Sequence, residues 1–164
     1  DADHAALVEA VIRLLDAGGW AAATEVSFNV AGERGSMDIL AWHPSTGALL
    51  VIEVKSVVPD VQQTLFSLDR KVRLAARIAH DRGWPASVVS RLLVISDDRT
   101  SRRRVERHAA IYGNAFPERT AAVRRWIADT AAHDRALAGL TFLTGDRHTI
   151  ARHRVRRSPS TTRA

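Results

Sequence analysis

The chain has 164 residues, of which 46% are hydrophobic and 26% charged, with no cysteine and a formal net charge of +6. That length supports one domain with a real core, and the lack of cysteine excludes disulfides, zinc–thiolate centres and cysteine nucleophiles. No apolar run approaches the roughly 20 residues that cross a bilayer and no signal-peptide pattern opens the chain, so a membrane role is not expected and a cytoplasmic location is the simplest reading.

The first predicted element is a helix capped by Asp3 and running to about Asp16, where Ala17-Gly18-Gly19 stops it. Ala6, Leu7, Val11, Leu14 and Leu15 recur on it at helical spacing, and Glu9 lies at its middle. Ala22–Val30 reads as a strand with Val26, Phe28 and Val30 on one face, followed by a turn over Gly32-Glu33-Arg34-Gly35. Two more strands follow, Ser36–Trp42 and Ala48–Ser56, joined by the tight connection His43-Pro44-Ser45-Thr46-Gly47. Leu49-Leu50-Val51-Ile52 is continuously apolar and Glu53-Val54-Lys55 then alternates, the pattern of a central strand whose end reaches a solvent-filled cleft.

Pro59-Asp60 opens a long helix with a buried stripe of Val61, Leu65, Leu68, Val72, Ala75 and Ala79, while Arg70, Lys71, Arg73 and Arg77 mostly lie elsewhere. After Asp81-Arg82-Gly83-Trp84-Pro85 comes a buried strand, Val88–Ser96. Arg99–Tyr112 and Arg119–Thr130 read as helices, the second extending to about Arg135, and Gly139–Thr144 as a short last strand. The whole is an α/β layout, a central mixed sheet flanked by helices in the order αβββαβ with extra helices toward the C-terminus. Past Asp146 there are six arginines and no acid, which leaves 18 basic and 18 acidic residues in a formally neutral 1–146. Residues 147–164 therefore read as a basic, disordered tail, either a non-specific phosphate contact or a solvated end. A chain that begins with Asp1 instead of Met is expected to be processed or part of something longer.

Glu53 and Lys55, two apart on a strand, share a face, and pairing of the two strands through the tight connection would set Asp38 across from the Glu53 region. Two carboxylates so placed repel unless a cation lies between them, and Mg²⁺ or Mn²⁺ suits such oxygen ligands. Beside that ion Lys55 could orient a water or offset charge on phosphorus. A solvated Val-Glu-Val-Lys strand end is the bland alternative. The seven histidines show no ligand spacing, and the four tryptophans read as core or rim. Arg102, Arg103 and Arg104, with Arg107, form a basic face that either meets phosphates or is simply solvated.

Asp38 followed fifteen residues later by Glu53-Val54-Lys55 resembles the signature of the PD-(D/E)xK nuclease superfamily. Gly32–Ala41 and Val51–Ser56 are similar to the segments around the metal site of archaeal Holliday-junction resolvases, with Met37 where the superfamily's name has proline. The resemblance, over about residues 3–96, implies a restriction-endonuclease-like core that hydrolyses DNA phosphodiesters through a metal-activated water. It implies Asp38, Glu53 and the Val54 carbonyl as metal ligands, Lys55 as the catalytic lysine and Glu9 as an auxiliary metal-binding glutamate. Gln62 or Gln63 would match a glutamine that some branches carry. Related resolvases dimerise, so a homodimer is a further implication. Glu33–Ala76 also resembles a C-terminal domain of actinobacterial regulators that begin with a helix-turn-helix, which implies the alternative of a catalytically silent module acting in DNA binding or regulation. A dimeric interaction domain is a third, weaker alternative.

Overall fold

The computed structural model describes residues 1–58 and 60–145, so Pro59 and the basic segment from residue 147 onward lie outside the described residues. Its elements are α1 (Ala2–Ala17), β1 (Ala21–Val30), β2 (Glu33–Trp42), β3 (Ala48–Lys55), α2 (Val61–Asp81), β4 (Val88–Ser96), α3 (Arg99–Arg107), α4 (Ala109–Ala115), α5 (Thr120–Ala128), a 3-10 turn (Thr130–Asp134) and β5 (Ala138–Leu143).

The five strands form one open mixed sheet in sequence order, β1-β2-β3-β4-β5. β1, β2 and β3 pair antiparallel, whereas β3–β4 and β4–β5 pair parallel. β3 is therefore the middle strand, and its first seven residues are all buried. Its side chains alternate between two cores. Leu49 and Val51 join Leu68, Ala75 and Ile78 of α2 and Tyr112 of α4 on one face. Leu50, Ile52 and Val54 join Leu7, Val11 and Leu15 of α1 and Trp126 of α5 on the other. Helices thus cover both faces, which explains why this strand reads as an apolar run. Among the described residues no helix is long and apolar enough to cross a membrane.

Several boundaries differ from the sequence reading for identifiable reasons. The first helix is capped by Asp1, whose side chain accepts from Asp3 N–H at 2.8 Å, instead of by Asp3. The β1–β2 turn is only Ala31-Gly32, with φ of 51° and 84°, and Val30 pairs with Glu33 directly. Two successive positive-φ residues match the right-handed strand twist, so Glu33–Gly35 belong to the strand. Gly35 is needed there because a Cβ would stand 2.6 Å from the Phe28 ring. The expected helix over Arg99–Tyr112 breaks at His108, which leaves helical backbone with φ −118° and ψ 34°. The helix after Arg119 ends at Ala128, and Asp129 accepts from Ala131 N–H to start the 3-10 turn.

At one end of the molecule Trp20, His43, Trp126 and His133 pack ring against ring, with centroids 4.5–5.4 Å apart. His133 Nε2 donates to the Trp126 carbonyl at 2.8 Å and its Nδ1 accepts from the Thr46 hydroxyl at 2.8 Å, which holds a neutral ring. Burial, helped by the neighbouring His43, lowers the His133 pKa below the ordinary 6.5. Below that value the unfolded chain therefore takes up a proton before the folded one does, and stability is lost as pH falls. The expected result is a urea midpoint that declines from pH 7 toward pH 5, with a smaller decline in His133→Gln. An equal decline in the two proteins would show that this ring does not carry the effect.

Candidate active site

The end of β3 lies between α1 and α2. The β2–β3 ladder runs from Trp42↔Leu49 to Ile39↔Ile52 and stops. The next register position would pair Asp38 with Glu53. Instead the strands separate there, and the Asp38 carboxylate fills the gap by accepting the Val54 N–H at 2.8 Å. The sequence expectation that Asp38 lies across from the Glu53 region therefore holds.

A second irregularity turns Asp38 outward. Between Thr24↔Ile39 and Val26↔Met37 the β1–β2 ladder skips Glu25 and Asp38, and Glu25 takes a φ of 49°. Met37 and Leu40, three residues apart, consequently face the same core, as do Ala23 and Val26. A positive φ on a residue with a Cβ costs of order 1–3 kcal/mol and persists only where the surroundings enforce it. Here the twist sends the Asp38 side chain toward α1, where His4 Nε2 stands 3.4 Å from its Oδ1. Asp38, His4, Glu9, Glu25 and Arg13 line an open cleft of about 590 Å³ between α1 and β1–β2. Glu9 is exposed on that cleft wall, so the structure brings it to the same cavity as Asp38.

Glu53 points to the opposite face. Its side chain is 5% exposed, and its Oε1 accepts from Lys71 Nζ of α2 at 2.8 Å. Burial pushes the Glu53 carboxyl above its ordinary 4.5, and the nearby Asp38 charge pushes it the same way. The Lys71 hydrogen bond and the charges of Lys71 and Lys55 oppose them. Lys55, the last residue of β3, is half-buried and shares with Asp38, His4, Val54 and Ser56 a second open pocket of about 260 Å³. Asp38 and Lys55 thus line one pocket, whereas Glu53 is not part of its lining and stays buried against Lys71.

His4 and Lys71 are the site residues that sequence reasoning missed. Lys71 was set apart from the buried stripe of α2, yet the buried set is Val61, Thr64, Leu68, Lys71, Leu74, Ala75, Ile78 and Ala79. Leu65 and Val72 are only partly buried at its edge. The spacing 64, 68, 71, 75 was legible, but it passes through a charge, and such a position is ordinarily assigned to solvent. Gln62 and Gln63 are exposed on the first turn of α2, where Asp60 caps the helix by accepting Gln63 N–H at 2.9 Å.

The three predicted phosphate-binding arginines separate. Arg102 Nε donates to Asp97 at 2.6 Å, and its guanidinium lies 4.4 Å from the Phe142 ring centre, so it is committed within the molecule. That pairing lowers the Asp97 pKa and raises that of Arg102. Arg103 and Arg104 instead line a surface concavity with Thr100 and Arg107. Arg104 Nη1 also donates to the Val58 carbonyl at 3.4 Å, in the segment just beyond Lys55.

Among the described residues no group of three or more His, Cys, Asp and Glu side chains is placed to hold a metal ion. Asp38 and Glu53 are oxygen ligands of the kind a Mg²⁺-type cation takes, an ion that needs only one or two carboxylates and keeps several waters, but Glu53 is buried against Lys71 and lines neither open pocket. Asp38 is a quarter exposed on its cleft. Such a cation would share these carboxylates with the His4 and Lys71 contacts present here. No protein-family model matches the chain, and no curated protein shows significant similarity to it.

Proposed function

We propose that the chain is a restriction-endonuclease-like nuclease domain that hydrolyses DNA phosphodiester bonds with the help of Mg²⁺ or Mn²⁺. The observation that carries this reading is that Asp38 and Lys55 line one pocket where the β2–β3 ladder opens, at the strand end that also carries Glu53. The element order, with an antiparallel β1-β2-β3 unit followed by parallel β4, is consistent with the αβββαβ core that the sequence resemblance implies.

In this reading Asp38, Glu53 and the Val54 carbonyl would hold the cation. Polarising a phosphoryl oxygen and lowering the pKa of a water is the chemistry such a cation supplies when bound. Asp38 is steadied by the Val54 N–H, so its carboxylate presents a defined direction to the cleft. Lys55 carries its ammonium at the pocket rim, suited to offsetting charge that grows on the phosphoryl oxygens. Arg103, Arg104 and Arg107 offer a neighbouring surface to the DNA backbone. The test is incubation of supercoiled, linear, single-stranded and four-way-junction DNA with the protein and Mg²⁺ or Mn²⁺, beside Asp38→Asn and Lys55→Met.

One observation favours the second reading, a catalytically silent module of a DNA-binding regulator. The carboxylates already have partners from within the chain, Lys71 on Glu53 and both Val54 N–H and His4 on Asp38. Binding of DNA without cleavage, unchanged by Asp38→Asn and Lys55→Met, would select that reading.

A further inference from the structure

Five of the nine residues of α3 are arginines, and Glu106 is its only acid. Ser101 and Val105 are buried and fix the inner side of the helix, and Arg102 is held by Asp97 and the Phe142 ring. Arg103, Arg104 and Arg107 are left exposed, and with Thr100 they line a surface concavity of about 210 Å³ that no acid enters. None of the three has an ion-pair partner among the described residues. Side chains three and four positions apart are neighbours on a helix, so these like charges repel until an anion sits among them. Several guanidinium forks around one anion match the oxygens of a phosphate group.

The concavity is joined to the Lys55 pocket. Arg104 spends one of its five N–H groups on the Val58 carbonyl and keeps the others for a ligand. Lys55 and Val58 are three residues apart, at most about 11 Å of chain. Between them Val57 is 64% exposed and lines the Lys55 pocket, an apolar surface between two cationic ones. We propose that Arg103, Arg104 and Arg107 seat one backbone phosphate of a DNA strand whose next few nucleotides run past Val57 to Lys55. The inference rests on the nuclease-domain reading for the identity of the polymer, and adds to it the side on which the strand must extend. A free phosphate or a mononucleotide fills only one end of this path.

The full chain is titrated into fluorescent duplex DNA in EDTA at several NaCl concentrations, beside Arg103→Gln/Arg107→Gln, which spares the Arg104–Val58 bond. The double variant is expected to bind about tenfold more weakly and to lower the slope of log affinity against log salt by about one, as loss of one phosphate contact requires. Arg125→Gln, on the helix that packs against the other face of the sheet, is expected to change neither. Placement is read with Val57→Cys, which introduces the sole thiol of an otherwise cysteine-free chain. Disulfide capture of a duplex with a thiol tether on its backbone is expected in Val57→Cys, and is expected to fall severalfold when Arg103→Gln/Arg107→Gln is added. Ala128→Cys, exposed on α5, is expected to capture none. An unchanged salt slope in the double variant, or displacement of the duplex by inorganic phosphate at equal phosphate concentration, would overturn the seat. Capture at Val57 that ignores the arginine substitutions would overturn the path. Seating and capture without cleavage in Mg²⁺ would leave the seat standing and sink the nuclease reading.

Discussion

Asp38→Asn and Lys55→Met are expected to keep the fold and to slow Mg²⁺-dependent DNA cleavage by about 10²–10³-fold, the usual cost of removing one charge-stabilising group from a phosphoryl- or acyl-transfer site. The choice of substitutions follows from the geometry. Asparagine retains a carbonyl oxygen that can accept the Val54 N–H, so the opened end of the ladder stays supported while the negative charge is gone. Methionine retains the length and apolar stem of Lys55, which is half-buried at the end of β3, and removes only the ammonium. Cleavage rates measured on the preferred DNA form, with circular dichroism as the check on folding, decide the matter. Rates within a few-fold of the parent protein would remove Asp38 and Lys55 from the reaction.

Glu53 is expected to behave differently, because it belongs to the core as well as to the site. Glu53→Ala strands the Lys71 ammonium in a buried position, which costs about 3–5 kcal/mol, and Lys71→Met strands the carboxylate at a comparable cost. Replacing both, as in Glu53→Leu with Lys71→Met, is expected to restore stability to near the parent level, since apolar side chains of similar volume commonly match or exceed a buried ion pair. Urea unfolding of the parent, the single variants Glu53→Leu and Lys71→Met and the double variant gives the coupling energy directly. Additive losses in the double variant would mean that the pair is not coupled in solution as the 2.8 Å contact requires. The consequence for function is practical: loss of cleavage in Glu53→Ala alone mixes unfolding with chemistry, and Asp38→Asn is the cleaner substitution.

The two faces of the sheet bear on how α1 and α2 act at the site. α1 brings His4 and Glu9 to the Asp38 side, and α2 brings Lys71 to the Glu53 side. β3 lies between them, so the carboxylates are approached from two separate helices. In the nuclease reading, the α1 cleft is the open approach to Asp38, and α2 supplies the buried counter-charge.

Much of this was legible from the amino-acid sequence. The middle strand declares itself in Leu49–Ile52, because a strand covered by helices on both faces has no solvent side and loses its alternation. Asp38, Glu53 and Lys55 could be brought to one strand end from the length of the connection and the two-residue side-chain period alone. These are local properties, set by backbone geometry within a few residues. What only the tertiary structure decided depends on how whole elements seat on one another. The rotation of α2 about its axis chose Lys71 over Val72 for the buried seam, and the seating of α1 brought His4 to Asp38. The skipped pair Glu25–Asp38 has no signature in residue type, because the positive φ at Glu25 is enforced by neighbouring strands instead of favoured by its own side chain. Residue spacing determines which side chains share an element's face. Packing of one element against another determines which of them meet, and at this site that second step supplied the Lys71 and His4 contacts.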